Sequence, residues 1–152
     1  MMMKEKYVVR FFYECESFPF SDRNLLKEFI VKLFKNEKYK LGSLHYIFCT
    51  DDALRKMNKK FLNHPDYTDI LTFPLSEKGM PVEGEIYISI DRIKDNSLIF
   101  NTFFKEELLR VIFHGALHLC NYNDHSSQEI KKMRERENHY LRLYNNGKKN
   151  KS

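Results

Sequence analysis

His114 and His118 stand four residues apart in HGALHLCNYNDH, residues 114–125. On a helix, residues i and i+4 lie one above the other, so the pair can aim two imidazoles at one ion. Leu108, Leu109, Ile112, Phe113, Ala116 and Leu117 form an apolar stripe on the other side. Asn121 follows, a residue second only to glycine as a left-handed helix stop. The chain then turns and can carry a third ligand, Asp124 or His125, back over the histidine face. Three protein ligands leave a coordination position open for water, which is the catalytic arrangement rather than the structural one. Zinc suits imidazole and carboxylate donors; nickel, cobalt and copper also suit imidazole.

Gly115 limits the chemistry. In HExxH peptidases the residue after the first histidine is a glutamate that acts as general base. Here that position has no side chain, and the motif contains no other base. The expected nucleophile is therefore metal-bound water, whose pKa the ion lowers to roughly 7. Phosphodiester hydrolysis fits, because the ion would also stabilise the charged transition state.

Such a site needs a scaffold. The helix that carries it is expected over 105–120. In 85–91, Ile86, Ile88 and Ile90 alternate with Tyr87, Ser89 and Asp91, the pattern of a strand. Further strands are expected at 7–13, 44–49 and 69–73. Ser21 or Asp22 can cap a helix whose apolar positions run Leu25, Leu26, Phe29, Ile30, Leu33 and Phe34. Gly42 reads as the end of a turn. Thr50 caps a helix with Asp51 and Asp52 in its first turn, where carboxylates suit the dipole, and with Leu54, Met57 and Phe61 as its stripe. Residues 63–67 read as a loop and 77–84 as a connection, and helix resumes from about 92. Ser126 and Glu129 have capping-box spacing. They open a last helix that buries Ile130, Met133, Tyr140, Leu141 and Tyr144. The fold class is α+β. One domain over 1–145 is expected, with a mixed sheet of about four strands, helices packed on it, and the metal site on a central helix and the turn after it. Residues 146–152, with Lys148, Lys149 and Lys151, read as a basic disordered tail.

The chain has 152 residues, 42% hydrophobic and 31% charged, which suits one soluble globular domain. No run of ~18 apolar residues suggests a transmembrane helix. The N-terminus lacks the features of a signal peptide, so a cytoplasmic location is expected. Cys15, Cys49 and Cys120 are far apart and form no CxxC pair. That fits a reducing compartment, with Cys49 and Cys120 as small core residues. A net charge of +5 tolerates a polyanionic partner.

HGALHLCNYNDH resembles the HGxLHLxGYDH signature of the YbeY endoribonucleases, the bacterial ribosomal-RNA maturation factors. Residues 58–74 (NKKFLNHPDYTDILTFP) resemble the family segment that ends in TDVLSFP, and 84–91 (GEIYISID) its GDI-type strand. With EELLRVIFHGALHL included, the resemblance runs from about 44 to 140. It implies a single-domain metalloprotein with one zinc ion that cuts single-stranded RNA. The implied role is maturation of the 3′ end of small-subunit ribosomal RNA and ribosome quality control. The implied partners are ribosomal RNA and the ribosome, with no membrane and no DNA. His114 and His118 match the first two family ligands. The family's third histidine lies six residues after the second, a register that falls on Asp124. Residue type favours His125, which a one-residue slip in the turn would bring to the metal. The family arginine after Asn-x-x-aromatic is Leu62 here, so an expected phosphate contact is missing unless Lys59 or Lys60 replaces it. Glu85 stands for the aspartate of GDI. Together with Thr68 and Asp69, which keep the family pattern, it is a candidate cleft residue.

Three functions follow from these residues. The first is a zinc-dependent endoribonuclease acting through metal-activated water. The second is a non-catalytic, metal-containing ribosome-assembly factor that holds RNA. The third is a metal-dependent hydrolase of another substrate. Nothing in the sequence specifies an oligomeric state.

Overall fold

The computed structural model of the chain describes residues 8–16, 18, 20–62 and 68–151. Four strands form one mixed sheet: β1 (Val9–Tyr13), β2 (Leu41–Cys49), β3 (Ile70–Pro74) and β4 (Val82–Ser89). Their order is β1-β2-β4-β3, with β1–β2 and β2–β4 parallel and β3 antiparallel to β4. Parallel neighbours need long crossovers. The chain supplies them with α1 (Arg23–Asn36) before β2, and with α2 (Asp51–Leu62) and β3 before β4. Three helices follow the last strand: α3 (Ile90–Ile99), α4 (Phe104–Leu119) and α5 (Ser127–Lys151).

Alternation along the strands splits the sheet into two faces. Leu44, Tyr46, Phe48, Ile86 and Ile88 are fully buried in a large core shared with α1, α4 and α5. On the other face Leu54 of α2 packs in a smaller core with Cys49, Leu71, Phe73 and Tyr87. Cys120 belongs to the large core, so both cysteines expected inside are there.

α4 is the central helix. From residue 109 to 119 only Arg110, His114 and His118 escape full burial, a line at i, i+4 and i+8. Two glycines set how closely α4 approaches the sheet. A Cβ on Gly115 would lie 2.8 Å from Ile86 Cδ1 and 3.0 Å from Ile70 Cδ1, and one on Gly84 would lie 2.8 Å from Leu119 Cδ1. Tyr46 OH donates to the Ile112 carbonyl at 2.8 Å, pinning the helix to β2.

Several boundaries differ from expectation. β4 stops at Ser89 rather than 91, because the Ser89 hydroxyl accepts from the Arg92 N–H at 3.1 Å and caps α3. Ile90 is therefore the first helical residue, not a strand position. β2 starts at Leu41, which places Gly42 inside a strand with a register shift rather than at a turn. β4 begins at Val82, within the expected connection, because both early segments pair with each other. Asp22 sits at the start of α1 at φ 60 with no side-chain cap, and Ser21 instead accepts from Lys105 Nζ at 3.3 Å. The other expected caps form. Thr50 Oγ1 accepts from Ala53 N–H at 3.2 Å, and Ser126 and Glu129 bond reciprocally at 2.9 and 3.1 Å. α5 runs to Lys151, past residue 146 where a disordered tail was expected, and Lys148 Nζ lies 2.8 Å from Asp22. The expected loop at 63–67 lies outside the described residues.

Candidate metal centre and its cleft

Tertiary contacts hold the turn after α4 in place. Asn121 takes φ 70. Its N–H bonds to the His118 carbonyl at 3.0 Å, and the Tyr122 N–H bonds to the Leu117 carbonyl at 3.1 Å. These two bonds are the Schellman helix stop. Asn121 Nδ2 donates to Tyr39 OH at 2.6 Å, and Tyr122 OH donates to Glu37 Oε1 at 2.7 Å. The turn is thus tied to the corner between α1 and β2.

Held this way, the turn folds Asp124 back over the histidines. Its Oδ2 lies 3.3 Å from His114 Nε2 and its Oδ1 lies 3.5 Å from His118 Nε2. One ligand atom from each of the three residues lies within 4.8 Å of the others. His125 is exposed and stands outside this group. Ligands about 2.0–2.1 Å from a tetrahedral ion are about 3.3–3.4 Å apart along each edge. The His114 Nε2–Asp124 Oδ2 distance of 3.3 Å has that length, and His118 Nε2 lies 3.5 Å from the other carboxylate oxygen, so the donors present suit a small divalent ion.

Glu137 of α5 stands behind the first histidine. It is 5% exposed, and its Oε2 lies 2.7 Å from His114 Nδ1. An ionised carboxylate only accepts, so Nδ1 carries the proton and Nε2 turns its lone pair toward Asp124. A carboxylate behind a ligating histidine fixes tautomer and ring in this way. Arg110 holds the other oxygen of Glu137, with Nη1 at 3.0 Å, and donates through Nη2 to Asn138 Oδ1 at 2.8 Å. Burial opposes a charge on His114, but the Glu137 bond and the charges of Glu137, Asp124 and Asp69 outweigh it and push the pKa up. His118 is pushed down, chiefly by burial and also by His114, against the pull of Asp124. Sequence reasoning missed both Glu137 and Arg110. The available signal was a carboxylate at 137, on the apolar stripe of Met133, Tyr140, Leu141 and Tyr144.

The cluster opens into a cleft of about 870 Å³. Thr68 and Asp69 line it. Burial pushes the Asp69 carboxyl up, with the pull of His114 working against the rise. Glu85 does not line the cleft. It alternates onto the α2 face of the sheet, where Tyr87 OH donates to its Oε1 at 3.2 Å. Lys59 and Lys60 are exposed on α2 and also stand outside the lining, whereas Leu62 is part of it. Gly115 faces the sheet rather than the cleft, so a glutamate there would collide with Ile86 and Ile70 instead of reaching a substrate.

Residues 14–145 match the family model described as Endoribonuclease YbeY. The Endoribonuclease YbeY of Cytophaga hutchinsonii is 43% identical over 141 residues, covering 93% of this chain and 98% of that protein. That of Amoebophilus asiaticus is 38% identical, covering 88% and 90%. A solution structure of a Thermotoga maritima protein aligns with a TM-score of 0.58 at 28% identity, covering 94% of this chain and 93% of that one.

Proposed function

The chain belongs to the YbeY endoribonuclease family and is a hydrolase; on that premise we propose that it is a zinc-dependent endonuclease of single-stranded RNA. Its ligands are His114, His118 and Asp124. Its place is the cytoplasm, its partner the ribosome, and its task 3′-end maturation of small-subunit ribosomal RNA together with ribosome quality control. The observation that carries this is the convergence of two imidazoles and one carboxylate on a cleft, with Glu137 fixing the His114 tautomer.

An ion bound there supplies Lewis acidity toward a phosphate oxygen and lowers the pKa of water toward neutrality. The remaining work falls to the chain's own groups. Glu137 accepts the Nδ1 proton of His114 and orients its ring. Arg110 holds Glu137 in place. Asp69 lines the same cleft as the three ligands, and burial pushes its carboxyl up. No membrane-spanning helix occurs among the described residues.

The test is metal content and RNA cleavage measured on wild type, His114→Ala, Asp124→Ala and His125→Ala. Wild type should hold one zinc per chain and cut single-stranded RNA. His114→Ala and Asp124→Ala should bind zinc far more weakly and lose cleavage, and His125→Ala should keep the metal. Wild type that takes up no metal, or cleavage indifferent to His114, would refute the proposal. Metal loss in His125→Ala rather than Asp124→Ala would reassign the third ligand.

A further inference from the structure

The cleft alone does not explain how a polyanion is held. Its lining carries Asp69, Glu106, Glu107, Asp124 and Glu137 against Arg110 and Arg134. Arg110 is already committed to Glu137 and Asn138. A divalent ion offsets part of the negative charge but provides no cationic track for the phosphates beyond the scissile one. Single strands are held by cations along their backbone, and the net charge of +5 locates those cations elsewhere.

One such place adjoins the metal-bearing turn. α1 ends in the stretch KNEKYK, residues 35–40. The helix closes with the same kind of stop as α4. The Lys38 N–H bonds to the Lys35 carbonyl at 3.0 Å, the Tyr39 N–H bonds to the Phe34 carbonyl at 2.9 Å, and Lys38 takes φ 70. Glycine is the usual residue there, yet this chain keeps a lysine. Glu37 is turned inward, accepting from Tyr122, Arg136 and Tyr140. With the acid withdrawn, Lys35, Lys38 and Lys40 stand exposed around a groove of about 430 Å³, whose other walls are Val31, Tyr39 and Leu41. Among the described residues none of these three lysines has a carboxylate within 4.0 Å. A cation in the last turn complements the helix dipole, which accounts for Lys35 but not for Lys40, beyond the helix.

The groove lies beside the turn that carries Asp124. Tyr39 OH accepts from Asn121, and at most about 11 Å of chain separates Asn121 from Asp124. Lys132 Nζ lies 5.7 Å from the centre of the Tyr122 ring and adds a cation on the other flank of the turn.

We propose that the groove of Lys35, Lys38 and Lys40 binds the RNA backbone and holds the single strand where it leaves the metal cleft. This rests on the endoribonuclease activity proposed above, and the experiment separates the two. The metal-loaded protein is compared with a triple variant, Lys35→Gln, Lys38→Asn and Lys40→Gln, in which asparagine tolerates the positive φ. Metal content and melting temperature check that the fold stands. Substrates are oligoribonucleotides of about 4 and about 16 nucleotides, the range of single-strand site sizes. Binding of an uncleavable ~16-mer is followed against salt.

The ratio of kcat/KM for the long over the short substrate should fall about tenfold in the variant. Its log K against log salt should flatten by about 2, three phosphate contacts at roughly 0.7 each. Replacing the same three lysines by arginine should restore both. An unchanged ratio and slope would overturn the proposal, and so would equal losses on both substrates. Weaker binding to anionic vesicles with RNA binding intact would assign the groove to a membrane surface and overturn it too. If wild type cleaves neither substrate, the catalytic proposal fails, and the salt slope of the uncleavable strand still decides on the groove.

Discussion

Replacing Glu137 by glutamine tests how far the metal centre depends on a residue that stands behind a ligand. The Glu137 carboxylate accepts from His114 Nδ1 at 2.7 Å and from Arg110 Nη1 at 3.0 Å. Glutamine keeps the shape but has one oxygen and one NH₂. If the oxygen faces His114, the NH₂ meets the Arg110 guanidinium, donor against donor. If the oxygen faces Arg110, the NH₂ forces the His114 proton onto Nε2, the atom that faces Asp124. Either arrangement loses about one charge-assisted hydrogen bond, roughly 1.5–3 kcal/mol. Losing such a supporting carboxylate typically weakens metal affinity about 10–100-fold, or about 1.4–2.8 kcal/mol. The two ranges agree. The His114 side chain is 20% exposed, so water can replace part of the lost bond, and the lower half of the range is expected. The assay is competition with a chelator of known affinity at neutral pH, for wild type, Glu137→Gln, His114→Ala and the double variant. Because Glu137 acts through His114, the double variant should bind metal no more weakly than His114→Ala alone. Glu137→Gln affinity within about twofold of wild type, or additive losses in the double variant, would refute the role given to Glu137.

Three further outcomes are expected. Gly115→Val should destabilise the fold by about 1–3 kcal/mol, because a Cβ alone already lies 2.8 Å from Ile86. The melting temperature should drop by roughly 2–10 °C, and an unchanged value would contradict the close helix–sheet approach. Burial works against a charge on Glu37, but hydrogen bonds from Tyr140, Tyr122 and Arg136 outweigh it and hold its pKa down. Its stabilisation is therefore fully present above the unfolded value of about 4.3 and is lost as pH falls through the lower folded value. The stability gap between wild type and Glu37→Gln should close in acid, and a gap independent of pH would refute this. Leu62→Arg adds a cation to a lining rich in carboxylates. It should lower KM for RNA several-fold at low salt, with the gain fading as salt rises; no change at low salt would show that position 62 lies off the path of the strand.

Much of the scaffold was legible because its causes are local. The apolar stripe of Leu108 to Leu117 and the histidines four apart follow from helical period alone. The caps at Thr50 and at Ser126 with Glu129, and the left-handed stop at Asn121, rest on bonds that span three to five residues. The α+β class follows from the same periodicities. Where local signals compete, the boundaries moved. Ser89 is both the last residue of β4 and the cap of α3, and the cap ends the strand there. Gly42 reads as a turn residue until its segment pairs with β4.

Local signals along the chain therefore account for the elements and for the donor types near His114. Long-range packing settles which groups meet. Glu137 reaches His114 across 23 positions, and Tyr39 reaches Asn121 across 82. No periodicity encodes contacts at such separations. The same holds for the choice between neighbours. Asp124 and His125 are adjacent in the chain, yet one lies over the histidines and the other faces solvent. Side-chain direction in a turn is set by backbone dihedrals, and these are held here by bonds to Glu37 and Tyr39, between α1 and β2, that exist only once the chain has folded.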